Sequence, residues 1–371
     1  MSTDVAWERL FHAYGTATDT GTALAGPLAE AEDHLWSAIL HQGSVWPATP
    51  PALRAVADRL AEAPALGLAF VRDVASAVRM GDAAEELRAE VAAADTAAWT
   101  AAYVAADEDD QVDMWDDETG DLVLAEAALA CWDLLPELVG PVTAFLDDPD
   151  PGIRAGAWAT TAELLAHPGA ADRLPVFLPR LAGAAEAAVS VRERASLVLD
   201  LGRLGGDPAP FLTDPDPLVR CAAALTGPLA DAPAAHEELL LAAVRPDALD
   251  PLAGIPGFGG HSPRQVLIAT LTGRVPDFSR LYEPALAALP HAFRTAPCPD
   301  LGPYLRVAFP SGLPDDPTPE QQGLARELAA RDELWDPANG NRRFTLGALG
   351  LPDDREAWRA LSRVGTSRCR G

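Results

Sequence analysis

Lysine is absent from this chain, and all 28 of its basic side chains are arginine. Cysteine is scarce. Its four copies (Cys131, Cys221, Cys298 and Cys369) form no Cys-x-x-Cys pair and have no histidine at zinc-ligand spacing, so no zinc motif is written in them. Cys131 and Cys221 lie in apolar helical stretches and read as small buried hydrophobes. Aromatic residues reach only 6%, but hydrophobic residues total 49%, which excludes wholesale disorder. Alanine, the best helix former, carries much of that apolar content. No run of about eighteen apolar residues occurs, so no membrane-spanning helix is expected. The opening Met1–Arg9 has neither the basic nor the apolar region of a signal peptide, which makes the cytoplasm the expected compartment.

Two further absences concern function. The formal net charge is −27, and binding to phosphate backbones or anionic membranes needs clustered basic residues that are missing here. Nucleic acid and membrane are therefore not expected partners. Only the tail departs from this balance, with nine Arg against seven Asp and Glu in residues 322–371. Neither Gly-x-Ser-x-Gly nor His-Glu-x-x-His occurs, and no carboxylate pair stands out among 55 acidic residues. The expectation is a protein with no catalytic residues, no cofactor and no metal.

What is present is a phrase written twice. It reads Leu-Asp-Asp-Pro-Asp-Pro-Gly-Ile-Arg from Leu146 and Leu-Thr-Asp-Pro-Asp-Pro-Leu-Val-Arg from Leu212, 66 residues later. Asp150 and Asp216 stand where an N-cap belongs, and Pro151 and Pro217 fit the first helical position, where a missing N–H costs nothing. Ile153 and Val219 open an apolar face. Arg154 and Arg220 can reach back to carboxylates in the turn or the neighbouring hairpin. Between the copies, Val191-Arg192 opens a third helix without the Asp-Pro pair.

Helical periodicity runs through most of the chain. The amphipathic run Val5–Tyr14 and a Thr/Gly-rich break at 15–22 precede a helix to His41, with Trp36, Ile39 and Leu40 on one face and Gly43 as its stop. Thr49 is placed to cap the next helix, whose buried stripe is Leu53, Val56, Ala57 and Leu60. Helices are expected over 68–80, 83–106, 122–135, 136–146, 152–166, 174–183, 189–204 and 218–225, with prolines between helices rather than inside them. Residues 246–263 are loop-rich, and further helices follow at about 264–272, 279–290, 318–334 and 353–364.

The Asp/Pro turn followed by Val-Arg resembles HEAT repeats of the armadillo-like class, well over 136–227 and more loosely elsewhere. The resemblance implies an all-α, irregular α-solenoid of helical hairpins. It places a repeat array at 1–245 and a C-terminal helical region at 246–371 that continues or caps it. The pattern departs from the family at 207–217, where one helix shrinks between proline-rich turns. The alanine, proline and arginine bias suggests a high-GC bacterial genome.

Two segments are candidate partner-binding sites. Residues 107–121 carry nine carboxylates and no basic residue, but they fail the calcium-loop pattern in every register, with Val112, Met114 or Gly120 where ligands or the turn glycine belong. They read instead as a docking surface for a basic partner. Asp109, Asp110, Asp113 and Asp116 supply the field, and Met114 and Trp115 act as exposed apolar anchors. The stretch Trp335–Arg343, with Trp335, Asn339, Arg342 and Arg343, has the makings of a polar recognition loop. Gly257-Phe-Gly-Gly-His261 lacks the strand and lysine of a phosphate loop and reads as a mobile connection. His34 and His41 stand about 10 Å apart along one helix and have no evident companion, so they read as ordinary surface histidines.

The expected function is a non-enzymatic scaffold or adaptor whose concave helix faces bind a protein or peptide partner. Two rivals remain. One is an inhibitor or immunity-type protein whose carboxylates block a basic, nucleic-acid-acting enzyme, recognised by one tight, salt-sensitive partner. The other is a HEAT-like nucleic-acid enzyme such as a DNA glycosylase, which needs a positive concave groove.

Overall fold

A computed structural model describes residues 5–81 and 83–364, so residues 1–4 and Cys369 lie outside the described residues. The protein is all-α. Among the described residues, nineteen α-helices are joined by short 3-10 turns, one π turn and a hairpin of two two-residue strands. No helix among the described residues is long and apolar enough to cross a membrane. The chain divides into two compact units, Met1–Ala184 and Ala185–Gly371. The division falls within a helix, not near 245. The loop-rich stretch after 245 is packed, with Leu249, Leu252, Ile255 and Phe258 all buried.

The first unit holds α1 (Thr18–Ala25), α2 (Glu32–His34), α3 (Thr49–Ala57), α4 (Pro64–Ala77), α5 (Ala83–Ala93), α6 (Thr96–Ala105), α7 (Glu108–Met114), α8 (Thr119–Thr143) and α9 (Pro151–Leu165), with α10 (Leu174–Ala187) carrying the division. α8 packs on α3, α5, α6 and α9, and α4 lies against α9. Leu68, Phe70, Val71 and Val74 bury one side of α4, and Leu53, Val56, Ala57 and Leu60 are buried as their spacing predicts. Thr160 of α9 is fully buried and donates to the Leu68 carbonyl (3.0 Å) and to that of Gly156 in its own helix (2.8 Å).

Several local expectations are corrected here. The run Val5–Tyr14 forms a 3-10 turn at Trp7–Arg9 and then enters the hairpin, and α1 begins inside the supposed Thr/Gly break. Trp36 and Ile39 lie in a π turn, Leu35–Ile39, and the backbone leaves it at Leu40. Thr49 caps nothing: it accepts from Trp46 N–H (2.9 Å) and donates to the Ile39 carbonyl (2.6 Å), stitching the turn to the helix start. The helices expected at 122–135 and 136–146 are one helix, α8, with Pro136 and Pro141 inside it. Each interior proline costs about 3 kcal/mol. Leu135, Leu138, Val139 and Val142 are nearly completely buried along the same segment, at about 1.5–3 kcal/mol each, and that gain outweighs the loss.

The second unit holds α11 (Val191–Arg203), α12 (Pro217–Leu225), α13 (Pro233–Ala243), α14 (Pro263–Arg274), α15 (Phe278–Ala288), α16 (Gly302–Ala308), α17 (Pro319–Ala330), α18 (Gly340–Ala348) and α19 (Arg355–Leu361). α11 packs on α12, α12 on α13 and α13 on α14, and α17 packs on α15 and α19. Arg274 donates to the Ala224, Leu225 and Thr226 carbonyls (2.7–2.9 Å), satisfying the C-terminal end of α12 that would otherwise lack donors.

The repeated phrase does the work its residue types suggest. Asp150 accepts from Gly152 and Ile153 N–H, and Asp216 accepts from Leu218 N–H, each with proline at the helix start. Arg154 donates to the Asp148 and Pro149 carbonyls (2.7 and 3.0 Å), and Arg220 does the same to Asp214 and Pro215 (2.9 and 3.3 Å). The feature common to both copies is thus a clamp on turn carbonyls. The third copy is shifted from the expected register. Ser190 is the N-cap, and Arg194, four residues on, donates to the Ala188 carbonyl (2.6 and 3.0 Å). Arg192 turns away to the Pro251 and Ala253 carbonyls.

Candidate functional site

The hairpin Phe11–His12/Gly15–Thr16 pairs Phe11 with Thr16 and His12 with Gly15. Successive strand residues face opposite ways, so Phe11 and His12 enter different environments. His12 is 3% exposed, and its Nδ1 accepts from Tyr14 N–H (3.1 Å). Its proton therefore sits on Nε2 and is donated to Asp19 Oδ1 at 2.9 Å. Asp19 lies in the first turn of α1, where the helix dipole favours a carboxylate. The other oxygen of Asp19 is 3.9 Å from His34 Nδ1. His34 Nε2 meets the hydroxyl of fully buried Thr20 at 2.9 Å.

Burial pulls the Asp19 carboxyl upward. The His12 hydrogen bond and the two imidazoles outweigh that pull and hold it below the usual carboxylate range. Burial, only partly countered by Asp19, lowers His34 below its ordinary value and keeps it neutral at pH 7. Tyr14 at the hairpin tip reaches His41 Nδ1 (3.3 Å), which also donates to the Ser37 carbonyl (2.8 Å). Three of the seven histidines thus gather within the first 41 residues. His34 has companions after all: its ring centroid is 5.5 Å from that of His12. Sequence spacing along one helix hid this, because the partners come from the hairpin and α1. The signal available was the density of histidines around Gly15 and Gly43, both left-handed turn residues.

On the other face Phe11 joins a cluster of Trp99, Tyr103 and Val123, with Trp46, Met114 and Trp115 packed around it. Phe11 and Tyr103 ring centroids are 4.4 Å apart, and Trp115 lies 5.3 Å from Trp99. Met114 and Trp115 are therefore not exposed anchors. They are half-buried because five aromatic side chains bury more apolar area by meeting than by facing water. The acidic segment is also ordered differently from the loop expected. Asp107 caps α7 by accepting from Asp110 N–H (3.0 Å), and Glu108, Asp109 and Asp110 occupy its first turn. Asp109, Asp110, Asp113 and Asp116 are exposed, and the exposed apolar residue among them is Val112.

The candidate recognition loop at 335–343 is largely spent on itself. Arg342 is 4% exposed, pairs with Asp353 (2.6 and 3.4 Å), and donates to the Leu334 and Asp336 carbonyls (2.7 and 3.1 Å). Its guanidinium lies 5.1 Å over the Trp335 ring, while Trp335 Nε1 donates to the Leu328 carbonyl (2.8 Å). Asn339 caps α18 by accepting from Arg342 N–H. Of the four, only Arg343 is exposed, and it too pairs with Asp353 (3.1 Å). The glycine stretch at 254–263 is likewise packed, not loose: Gly257 N–H donates to Ser196 Oγ at 2.8 Å.

A groove of about 940 Å³ opens between α6 and α8. α6 lines it with Ala97, Thr100, Ala101 and Val104, and α8 lines it with Val123, Glu126, Ala127 and Ala130. Both sets follow helical i, i+3, i+4, i+7 spacing. Trp99 and Tyr103 wedge the opposite side of α6 onto the core, and the alanines are too short to fill the space left on this side. Val5, Leu10, Pro47, Pro50 and Pro51 close it, with Glu8, Arg9 and Glu126 as the charged rim. No sequence pattern announced this groove, since small residues at core spacing normally mark close packing. Comparison with protein-family models, with curated proteins and with solved structures finds no match.

Proposed function

We propose that the protein is a HEAT-like helical-repeat scaffold that binds a protein partner, taking a short apolar segment flanked by basic residues into the α6–α8 groove. The groove carries this reading. Its walls are mostly methyl groups and proline rings, which offer area and shape, and each partner methylene buried there contributes about 0.8 kcal/mol. Glu8 and Glu126 outnumber Arg9 on its rim, and the net charge of −27 steers a basic partner toward the molecule. The thrice-used arginine clamp and the sequential packing of α11 to α14 support the repeat reading.

A photo-cross-linking residue at exposed Ala101 would capture the occupant. The identified partner is then titrated against wild type, Ala101→Trp and, as a control in the second unit, Val189→Trp. Ala101→Trp is expected to weaken binding at least about tenfold and Val189→Trp to leave it unchanged, with affinity falling as salt rises. Equal affinity for wild type and Ala101→Trp would overturn the groove.

A further inference from the structure

We propose that His12, Asp19 and His34 form a binding site for one divalent transition-metal ion of the zinc class, held by His12 Nε2, an Asp19 carboxylate oxygen and His34 Nδ1. This site is separate from the partner-binding reading above and does not depend on it. The three ligand atoms lie within 4.8 Å of one another, and the closest pair, His12 Nε2 and Asp19 Oδ1, is 2.9 Å apart. Ligands bonded to one ion at about 2.0–2.2 Å stand about 3.0–3.5 Å from each other. Small side-chain movements reach that geometry. Two imidazoles and one carboxylate favour zinc, cobalt or nickel over calcium and magnesium, which take oxygen ligands.

The surroundings suit a bound ion. His12 and His34 side chains are 4% and 16% exposed, so their positions are set by packing, while Asp19 is 63% exposed and opens a path for entry. Thr20 Oγ1 lies 2.9 Å from His34 Nε2; in the metal-bound form it would accept the Nε2 proton and leave the Nδ1 lone pair to the ion, the outer-shell support that metal-bound histidines receive. A divalent cation held by the three side chains takes the place of the proton that His12 now donates to Asp19. His12 carries one ring proton, and freeing Nε2 for the ion moves that proton to Nδ1 by way of solvent, with none released overall. There it meets Tyr14 N–H, so the turn Ala13–Tyr14 must swing outward. Tyr14 is 67% exposed and Gly15 beside it has a left-handed φ of 104°, so the movement exchanges the Tyr14–His41 contact for solvent.

The test uses the untagged full-length chain with ZnCl2 or CoCl2 alone, followed by calorimetry and visible absorption. Expected are one Zn2+ per chain with Kd below about 100 μM, and a cobalt d–d band that is lost on adding zinc. Exposed Asp19→Asn and half-buried His34→Gln, each checked for native circular dichroism, should weaken zinc at least about tenfold. Both avoid the fully buried His12, whose replacement endangers the hairpin. In zinc-saturated protein the histidine 15N spectrum should show the His12 proton on Nδ1. Absence of such binding, unchanged affinity in Asp19→Asn, or retention of the His12 Nε2 proton at saturation would each overturn the site.

Discussion

Replacing Arg342 by alanine tests whether the C-terminal Trp/Arg loop is architecture or a free recognition surface. The guanidinium is 4% exposed, holds Asp353 by two contacts, donates to two loop carbonyls and stacks on Trp335. Removing one partner of a buried ion pair costs about 3–5 kcal/mol. The Asp353 side chain is 24% exposed, so water recovers part of this and about 2–4 kcal/mol remains. For a unit of this size the melting temperature falls by roughly 2–4 °C per kcal/mol, which gives a drop of roughly 5–15 °C. Arg343→Ala removes a guanidinium that is 69% exposed and is expected to cost less than about 1 kcal/mol.

The assay is thermal and urea unfolding of both variants, repeated across pH. The Arg342 hydrogen bond, opposed by burial and reinforced by Arg343, holds the Asp353 carboxyl below its ordinary 3.8. A depressed carboxyl binds fewer protons in the folded state than in the unfolded one. Its stabilisation is therefore complete above that value and fades as pH falls through the folded one. The gap between wild type and Arg342→Ala should be full at pH 7 and narrow below about pH 3.8. A loss no larger than that of Arg343→Ala would refute the reasoning and return Arg342 to a partner-facing role.

Gly257→Ala places a Cβ 2.8 Å from the Ser196 carbonyl oxygen, a backbone atom that cannot step aside, and should cost about 1–3 kcal/mol in urea unfolding. A neutral result would mean that the 254–263 stretch is loose. Trp115→Ala removes a half-buried ring from the aromatic cluster and should cost about 2–4 kcal/mol, measured by calorimetry. Unchanged stability would restore Trp115 as a surface anchor.

Much of the local architecture was legible because helix starts are written within four residues. Asp150-Pro151 and Asp216-Pro217 specify their caps with no help from the rest of the chain. The continuity of α8 through two prolines was not legible, since local rules stop a helix there and only burial of the Leu135–Val142 stripe overrides them. Which arginine clamps the third turn was not legible either. Val191-Arg192 copies the phrase in letters, but Ser190 sets the cap and so makes Arg194 the clamp.

By itself, then, the sequence determined the helical class, the capping phrase and a strong negative charge, because these rest on contacts within one turn or on composition. The tertiary structure decided which side chains meet. It folded Met114 and Trp115 inward, consumed Arg342 in an ion pair, left an alanine-lined groove beside the aromatic wedge, and set His12, Asp19 and His34 face to face. Each of these depends on chain segments that approach only when a hairpin or a helix pair closes, and spacing along the chain does not record that closure.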